Sequence, residues 1–466
     1  DAVEIHNTSD VLVDISGWFL SDSETQLNKY ILPEGTVLPP GGYTVLYEYQ
    51  FGVGGQPGVS EPFSFNSAYG GDVYLSQTDS HTNLTGYRAS AAYGASSNGV
   101  SLGRFETSIG EEFVAMSARS FGEDTPGSLA QFRLGNGSAN PYPLVGPVVF
   151  SELNYHSMHA YGGNTNAGEF VELYNAGLDP VPLYDPAYST NTWRIDGGID
   201  YRFPPGVSVP ATGAVIVVSF NPDTDTAQAG WFRTTFDVPS GTALYGPWSG
   251  ALANEGEALN LYRPDTPQQP PSPDAGYVPQ ILVERVVYGN AAPWPTNGIG
   301  VGATLQRYVS TGFGNEPVHW YAAAPSAGLE NLADSDGDGM PDYWEIANGL
   351  DPEDGLGSNG PDGNLDGDPA TNLEEWEAGT AANDAGDYFR IRSIDVTAES
   401  VHVQFMASPG RRYSLLQRDA LTSGTWQSVM DAPLTANPVL MELTTPLSTN
   451  NAVRYYGLDA TPEILP

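Results

Sequence analysis

The chain contains no cysteine in its 466 residues, which excludes disulfide frameworks, thiolate metal sites and cysteine nucleophiles. Lysine is almost missing too: Lys29 stands alone among 17 basic residues, against 56 Asp and Glu, and the formal net charge is −39. A phosphate backbone or an anionic membrane must be met by Lys and Arg, so nucleic-acid binding and attachment to such membranes are disfavoured. The same imbalance resembles that of proteins kept soluble in salt-rich surroundings. Long hydrophobic runs are absent. The apolar stretch from Ala214 to Val218 falls far short of the roughly 20 residues that span a bilayer. No signal peptide begins at Asp1, so a secreted protein would stand here in mature or truncated form. Gly-x-Ser-x-Gly elbows, phosphate-binding glycine loops ending in Lys and His-Glu-x-x-His pairs do not occur.

What the chain does contain is carboxylate in a particular spacing. Asp334, Asp336, Asp338, Asp342 and Glu345 occupy positions 1, 3, 5, 9 and 12 of a twelve-residue loop, with Gly339 at position 6 and the Met340 carbonyl at 7. Three carboxylates turn inward only if the backbone bends sharply, and a closing glutamate supplies two oxygens. This is the pattern of a calcium site. A second loop starts at Asn364 and places Asn364, Asp366, Asp368, Asn372 and Glu375 at the same positions, with the Ala370 carbonyl at 7. It departs from the pattern twice: Asn364 replaces the leading Asp, and Pro369 stands where Gly is expected, so its turn must be made differently. Asp351 and Asp354 offer a further pair of oxygens to a shared site. From Asp334 to Asp387 there are 16 Asp and Glu and no Lys or Arg, a segment that repels itself without cations.

Elsewhere, 54 Gly, 38 Pro and 26 Tyr, with short alternating runs such as Tyr43 to Tyr47 and Val401 to Phe405, give a mainly β reading, with helix confined to the acidic segment. The chain also repeats itself. Val3-Glu-Ile-His-Asn7 returns as Val171-Glu-Leu-Tyr-Asn175, Leu32-Pro-Glu-Gly35 as Phe203-Pro-Pro-Gly206, Tyr93-Gly94 as Tyr288-Gly289, and Ser101-Leu102 as Thr304-Leu305. The expected organisation is a β domain over 1–130, a Gly- and Pro-bearing linker over 131–147, a second copy over 148–331, the acidic segment over 332–387 and a smaller β domain over 388–466. The second copy opens with Val148-Val-Phe-Ser-Glu-Leu-Asn-Tyr155, whereas the first starts at Ala2 without a counterpart. Its sandwich is therefore expected to lack a strand. Either the polypeptide extends upstream, or another subunit supplies the strand, as in donor-strand polymers, which would make the chain a filament or sheath subunit.

Glu169-Phe-Val-Glu-Leu-Tyr-Asn, Trp193-Arg-Ile, Tyr201-Arg-Phe-Pro-Pro-Gly and Val215-Ile-Val-Val, with Ile15-Ser-Gly-Trp-Phe-Leu-Ser-Asp and Leu32-Pro-Glu-Gly-Thr-Val-Leu-Pro-Pro-Gly-Gly-Tyr in the first copy, resemble the lamin tail domain, an immunoglobulin-like β-sandwich. The acidic segment, with Trp344-Glu-Ile-Ala-Asn-Gly-Leu-Asp-Pro and Thr371-Asn-Leu-Glu-Glu-Trp-Glu-Ala-Gly-Thr, resembles the EF-hand-like and thrombospondin type 3 calcium linkers of secreted bacterial proteins. The resemblance implies tandem immunoglobulin-like sandwiches, a calcium-braced spacer and a terminal immunoglobulin-like domain. The reading that follows is a non-catalytic structural or adhesive role at the cell surface or outside the cell, with a second copy donating a strand into the first sandwich, or cell-surface or extracellular matrix components, as expected partners. Such modules also accompany catalytic domains of larger secreted enzymes, such as spore-coat-type kinases, and that alternative stays open beside a carbohydrate-binding module.

Other residue groups carry bland readings. His156 and His159, three apart, are read as loop histidines rather than metal ligands. Glu169 and Glu172 are an odd step apart and point to opposite faces of a strand. Trp18, Trp248, Trp294 and Trp320 are read as core rather than as a sugar platform. Asn7-Thr-Ser, Asn83-Leu-Thr and Asn136-Gly-Ser meet the glycosylation pattern, which is short enough to arise by chance.

Overall fold

The computed structural model describes residues 1–122, 126–296, 299–308, 310–328, 336–397, 399–408, 411–419, 425–432, 438–447 and 454–462. It is mainly β, in stacked sheets with buried apolar layers between them. The first unit contains β1 (Ala2–His6), β2 (Val13–Asp14), β3 (Phe19–Ser21), β4 (Tyr30–Ile31), β5 (Val37–Leu38), β6 (Tyr43–Tyr47), the single turn α1 (Glu48–Phe51), β7 (Gly71–Thr78), β8 (Leu84–Tyr93), β9 (Leu102–Thr107), β10 (Gly110–Ala115) and the single turn α2 (Leu129–Phe132). A sheet of order β4-β3-β7-β8 faces the pair β1-β6 across a core of Ile5, Trp18, Leu20, Tyr30 and Leu46. β2-β5 and β9-β10 form separate pairs.

The second unit contains β11 (Val148–Asn154), β12 (Phe170–Asn175), β13 (Val181–Pro182), β14 (Arg194–Gly197), β15 (Ile199–Arg202), β16 (Ser208–Val209), β17 (Ala214–Val218), α3 (Thr226–Thr235), β18 (Ala243–Tyr245), β19 (Ser249–Gly250), β20 (Gly256–Pro264), β21 (Gln280–Gly289), β22 (Thr304–Arg307) and β23 (Trp320–Ala323). Here the two sheets are larger, β18-β17-β12-β11-β22-β23 and β19-β15-β14-β20-β21. The longer apolar runs explain the larger core: Phe150, Leu153, Val171, Leu173, Val215 and Val217 are fully or almost fully buried between the sheets. Trp248, Trp294 and Trp320 join this core and Trp18 the first one, so the four tryptophans are structural apolar mass.

The internal repeat is visible in geometry as well as in sequence. Asn7 Nδ2 donates to the carbonyls of Val11, Leu38 and Pro39 at 2.8, 3.1 and 2.9 Å. Asn175 Nδ2 does the same to Asp179, Val209 and Pro210 at 2.9, 3.4 and 2.9 Å. Each asparagine pins the corner after its strand by donating to three carbonyls of the segments that follow it.

Helix is not confined to the acidic segment. α3 lies in the second unit, where Phe232, with Phe236 just beyond its end, packs on Phe170, Ile216 and Val218, the outer face of the sheet. The sequence hides it because its apolar contacts are few and it follows a turn-like Asp-Thr-Asp-Thr run. Its stability comes from tertiary packing rather than from a strong helical stripe.

The acidic segment folds into α4 (Asp342–Asn348) and α5 (Asn372–Ala378), each ended by a left-handed glycine, Gly349 at φ 79° and Gly379 at φ 74°. The last unit contains β24 (Ser393–Val396), β25 (Ser400–Ala407), β26 (Arg411–Arg418), β27 (Gln427–Asp431), β28 (Val439–Pro446) and β29 (Tyr455–Pro462). Sheets β24-β25-β28 and β27-β26-β29 pack over Val403, Phe405, Tyr413 and Leu415. Alternate residues of β25 are buried, as a sheet with one wet face requires. Within the β domain expected over 388–466 the first strand begins at Ser393.

Candidate metal centre

The two loops before α4 and α5 are folded alike. Asp338 N donates to Asp336 Oδ1 at 3.1 Å and Met340 N to Asp338 Oδ1 at 2.9 Å. In the second loop Asp368 N donates to Asp366 Oδ1 at 3.1 Å and Ala370 N to Asp368 Oδ1 at 2.7 Å. One oxygen of each aspartate thus shapes the turn and leaves the other for the interior. Both loops bend at position 4, where Gly337 has φ 74° and Gly367 φ 82°. This is how the second loop tolerates Pro369 at position 6: the left-handed residue sits two places earlier, while Gly339 of the first loop is left-handed as well, at φ 97°.

Two carboxylate triads result. Ligand oxygens of Asp336, Asp338 and Glu345 lie within 4.8 Å of one another, and so do those of Asp366, Asp368 and Glu375. Glu345 and Glu375 are both wholly buried, carried into the loops by the first turns of α4 and α5. Among the described residues, neither oxygen of Glu375 has a hydrogen-bond partner, nor do Asp366 Oδ2 and Asp368 Oδ2. Four buried carboxylate oxygens without a donor are costly unless a cation meets them. Glu375 is pushed up to about 8 by burial first, and then by the charges of Asp368, Asp366 and Asp387. An all-oxygen donor set suits a hard divalent cation.

The remaining expected ligands fall in different places. Asp334 lies outside the described residues, and for Asp342 only the backbone is described, at the start of α4. Met340 is wholly buried beneath the first loop. Asn364 closes the second loop on itself: its Oδ1 accepts from Gly367 N and its Nδ2 donates to the Asp368 carbonyl, both at 2.6 Å. Asn372 is buried, and its Nδ2 donates to the Ser358 and Gly360 carbonyls at 2.9 and 3.0 Å while Oδ1 accepts from Leu365 N at 3.3 Å. Its carboxamide is thus engaged by the preceding loop. Asp351 and Asp354 cap local turns through Glu353 N and Asn359 Nδ2.

The two helices are joined by their tryptophans. Trp344 and Trp376 meet with Met340, Leu350 and Ala382 in one apolar cluster, which also takes Tyr321 from β23. On the other side Arg411 of β26 donates through Nε and Nη2 to the Trp376 carbonyl, at 3.0 and 2.7 Å, and lies 4.3 Å from the Trp376 ring centroid. The Tyr413 hydroxyl donates to the Ala378 carbonyl at 2.8 Å. The acidic segment therefore meets the second sandwich in the cluster that holds Tyr321, Met340 and Trp344, and the last β unit through α5.

A second group of carboxylates was not legible in sequence. Glu152 and Glu172 pair across β11 and β12 and are wholly buried. Glu152 accepts from Thr304 Oγ1 at 2.5 Å and Ser326 Oγ at 3.1 Å, and Glu172 from Ser151 Oγ at 2.7 Å and Gly328 N at 2.5 Å. Burial raises both carboxyls above the ordinary range, and for Glu152 the neighbouring Glu172 adds to it. Sequence spacing set Glu172 apart from Glu169; it could not bring in a partner from another strand. His159 packs its ring on Phe236, and neither it nor His156 joins a triad of ligand-bearing side chains among the described residues.

No curated protein and no solved structure matches the chain. Residues 1–98 match the family model of the Lamin Tail Domain, an immunoglobulin-like, non-enzymatic domain.

Proposed function

We propose that the chain is a non-catalytic extracellular structural protein in which calcium, bound by the paired loops, makes the acidic segment a rigid joint between the second sandwich and the last β domain. The observation that carries this reading is that one apolar cluster unites Tyr321 with Trp344 and Trp376, that Trp376 in turn meets Arg411, and that a carboxylate triad stands at the base of each helix. Calcium would be held by Asp336, Asp338 and Glu345 in one loop and Asp366, Asp368 and Glu375 in the other, with Asp334, Met340, Asp342, Asn364, Ala370 and Asn372 as the remaining proposed contributors. Its chemistry is charge neutralisation. The protein's own part is to hold buried oxygens together at the helix starts, so that cancelling their repulsion fixes the tryptophans that join the domains.

An extracellular location is part of the same proposal, on the affinity that loops of this kind show outside cells. Loops of extracellular modules bind calcium near ~10⁻⁴ M, so at ~10 mM each site would stabilise the fold by roughly 2.7 kcal/mol, whereas cytosolic calcium would leave them empty. Small-angle scattering of the full chain at millimolar calcium and after chelation tests the joint. A single maximum dimension that grows on chelation supports it; unchanged profiles contradict it.

A further inference from the structure

Between the crossing from β11 to β12 and the turn from β19 to β20, the second unit forms a cavity of about 380 Å³. Glu169, just ahead of β12, and Leu252 are its buried floor, and His156, Thr165 and Asn254 stand exposed at its rim. Its walls are fixed by bonds within the protein. A 3-10 turn over Thr165–Gly168 begins where Asn164 Oδ1 accepts from Asn166 N at 3.2 Å, and Ser219 Oγ donates to the Asn166 carbonyl at 2.7 Å. On the other wall Glu257 Oε1 accepts from Ala253 N at 2.6 Å and from the Tyr288 hydroxyl at 2.9 Å. The cavity is thus largely formed in advance, as small-molecule sites are.

The floor carries an unmet demand. Glu169 is 5% exposed, and its Oε2 is buried without a hydrogen-bond partner among the described residues. Burial pushes the carboxyl up to about 7, with the Leu252 amide pulling it down and the charge of Glu257 adding to the rise. A buried carboxylate oxygen without a donor is costly, and a proton or a cation relieves it. Among the described residues no Lys or Arg lines the cavity to do so. Thr165, Asn166 and Asn254 bring a hydroxyl and two carboxamides, and Leu252 is the only large apolar side chain in the lining. Such a lining repels anions and gives an apolar molecule little to hold. Nor does it suit a metal ion, since among the described residues neither Glu169 nor His156 joins a group of three ligand-bearing side chains.

We infer that this cavity is a binding site for a small organic ammonium that carries hydroxyl groups, an amino alcohol in its chemistry, with Glu169 meeting the ammonium and Thr165, Asn166 and Asn254 meeting the hydroxyls. An ammonium supplies both the donors and the positive charge that the buried carboxylate lacks, and a charge-assisted bond of this kind is the strong kind. The polar rim then fixes the ligand's orientation, and the volume is that of a small-molecule pocket rather than of a groove for a folded partner. The site lies in the second sandwich, apart from the carboxylate loops, and does not depend on calcium.

Amide chemical shifts of the full chain at millimolar calcium, followed while ethanolamine or ethylene glycol is titrated in, test the site. Ethanolamine should move the Leu252, Ala253 and Asn254 amides saturably, and ethylene glycol should not. Glu169→Gln keeps the side chain's shape and should weaken ethanolamine binding about tenfold or more, as the loss of a charge-assisted bond implies. Asn254→Ala, at the exposed rim where folding is not at stake, should weaken it several-fold. Ethanolamine shifts confined to the acidic loops, equal shifts with ethylene glycol, or binding unchanged in Glu169→Gln would each overturn the inference.

Discussion

The rings of Trp344 and Trp376 meet edge to face, with centroids 5.9 Å apart and planes at 60°. Each stands on a short helix of 7 residues, too short to persist in water without tertiary support. Trp344→Ala removes one half of the contact and a buried aromatic, a loss of about 3–5 kcal/mol for the segment. Calcium should still bind, because no loop carboxylate is touched, but protease cleavage within 351–363 should quicken several-fold. Unchanged cleavage would show that the tryptophans are not what holds the helices together.

Arg411 contributes two donors to one carbonyl and a cation over an indole. Arg411→Ala should uncouple the last β domain from α5, at a cost of about 2 kcal/mol. Scanning calorimetry would then resolve a separate transition for that domain. Retention of the wild-type profile would place the coupling elsewhere.

The paired arginines of the two copies predict unequal outcomes. Arg307 has no side-chain exposure and neutralises buried Glu284, so Arg307→Ala strands a charge and should cost about 3–5 kcal/mol in denaturant unfolding. Arg104→Ala, at a half-exposed site, should change stability by a few tenths of a kcal/mol. Similar losses in both variants would mean that Arg104 is buried and paired as Arg307 is.

Gly41 and Thr212 occupy the same turn in the two copies, at φ 65° and 47°. A β-branched residue in left-handed backbone is strained, so Thr212→Gly should stabilise the second sandwich by about 1 kcal/mol. Gly41→Thr should destabilise the first by a similar amount, since a Cβ there meets no atom within 4 Å and only backbone strain acts. Midpoints of urea unfolding check both signs.

Glu152 and Glu172 set a pH dependence. Burial raises both carboxyls in the folded chain above the ordinary value of 4.5, so between those values the folded state binds more protons than the unfolded state. Stability therefore falls as pH rises through this range. Glu172→Gln should flatten the fall between about pH 5 and pH 8 when unfolding is followed in chelated protein. An undiminished slope would assign the pH dependence to other groups.

How much of this was legible in the sequence depends on the range of the interaction. The β character, the repeat and the shape of the loops are local patterns, and Asn7 and Asn175 turned out to make the same three bonds. That the first copy shows no counterpart of β11 among its described residues could also be read from the internal repeat, although only the sheets show that β1 and β9 belong to separate pairs. Three features escaped because they are made across strands or by packing: the Glu152–Glu172 pair, the helix α3, and the engagement of Asn372 with the loop before it. Position 9 of a loop predicts an oxygen; it does not predict that a neighbouring turn takes up the amide first.

The central claim is that the paired loops bind calcium and that binding rigidifies the joint. Isothermal titration of calcium into the chelated full chain, repeated with Glu345→Gln and Glu375→Gln, tests it most directly. The account predicts saturable binding at two sites, one lost in each variant, with magnesium much weaker. Titrations without saturable heat, or variants that bind as the parent does, would contradict it.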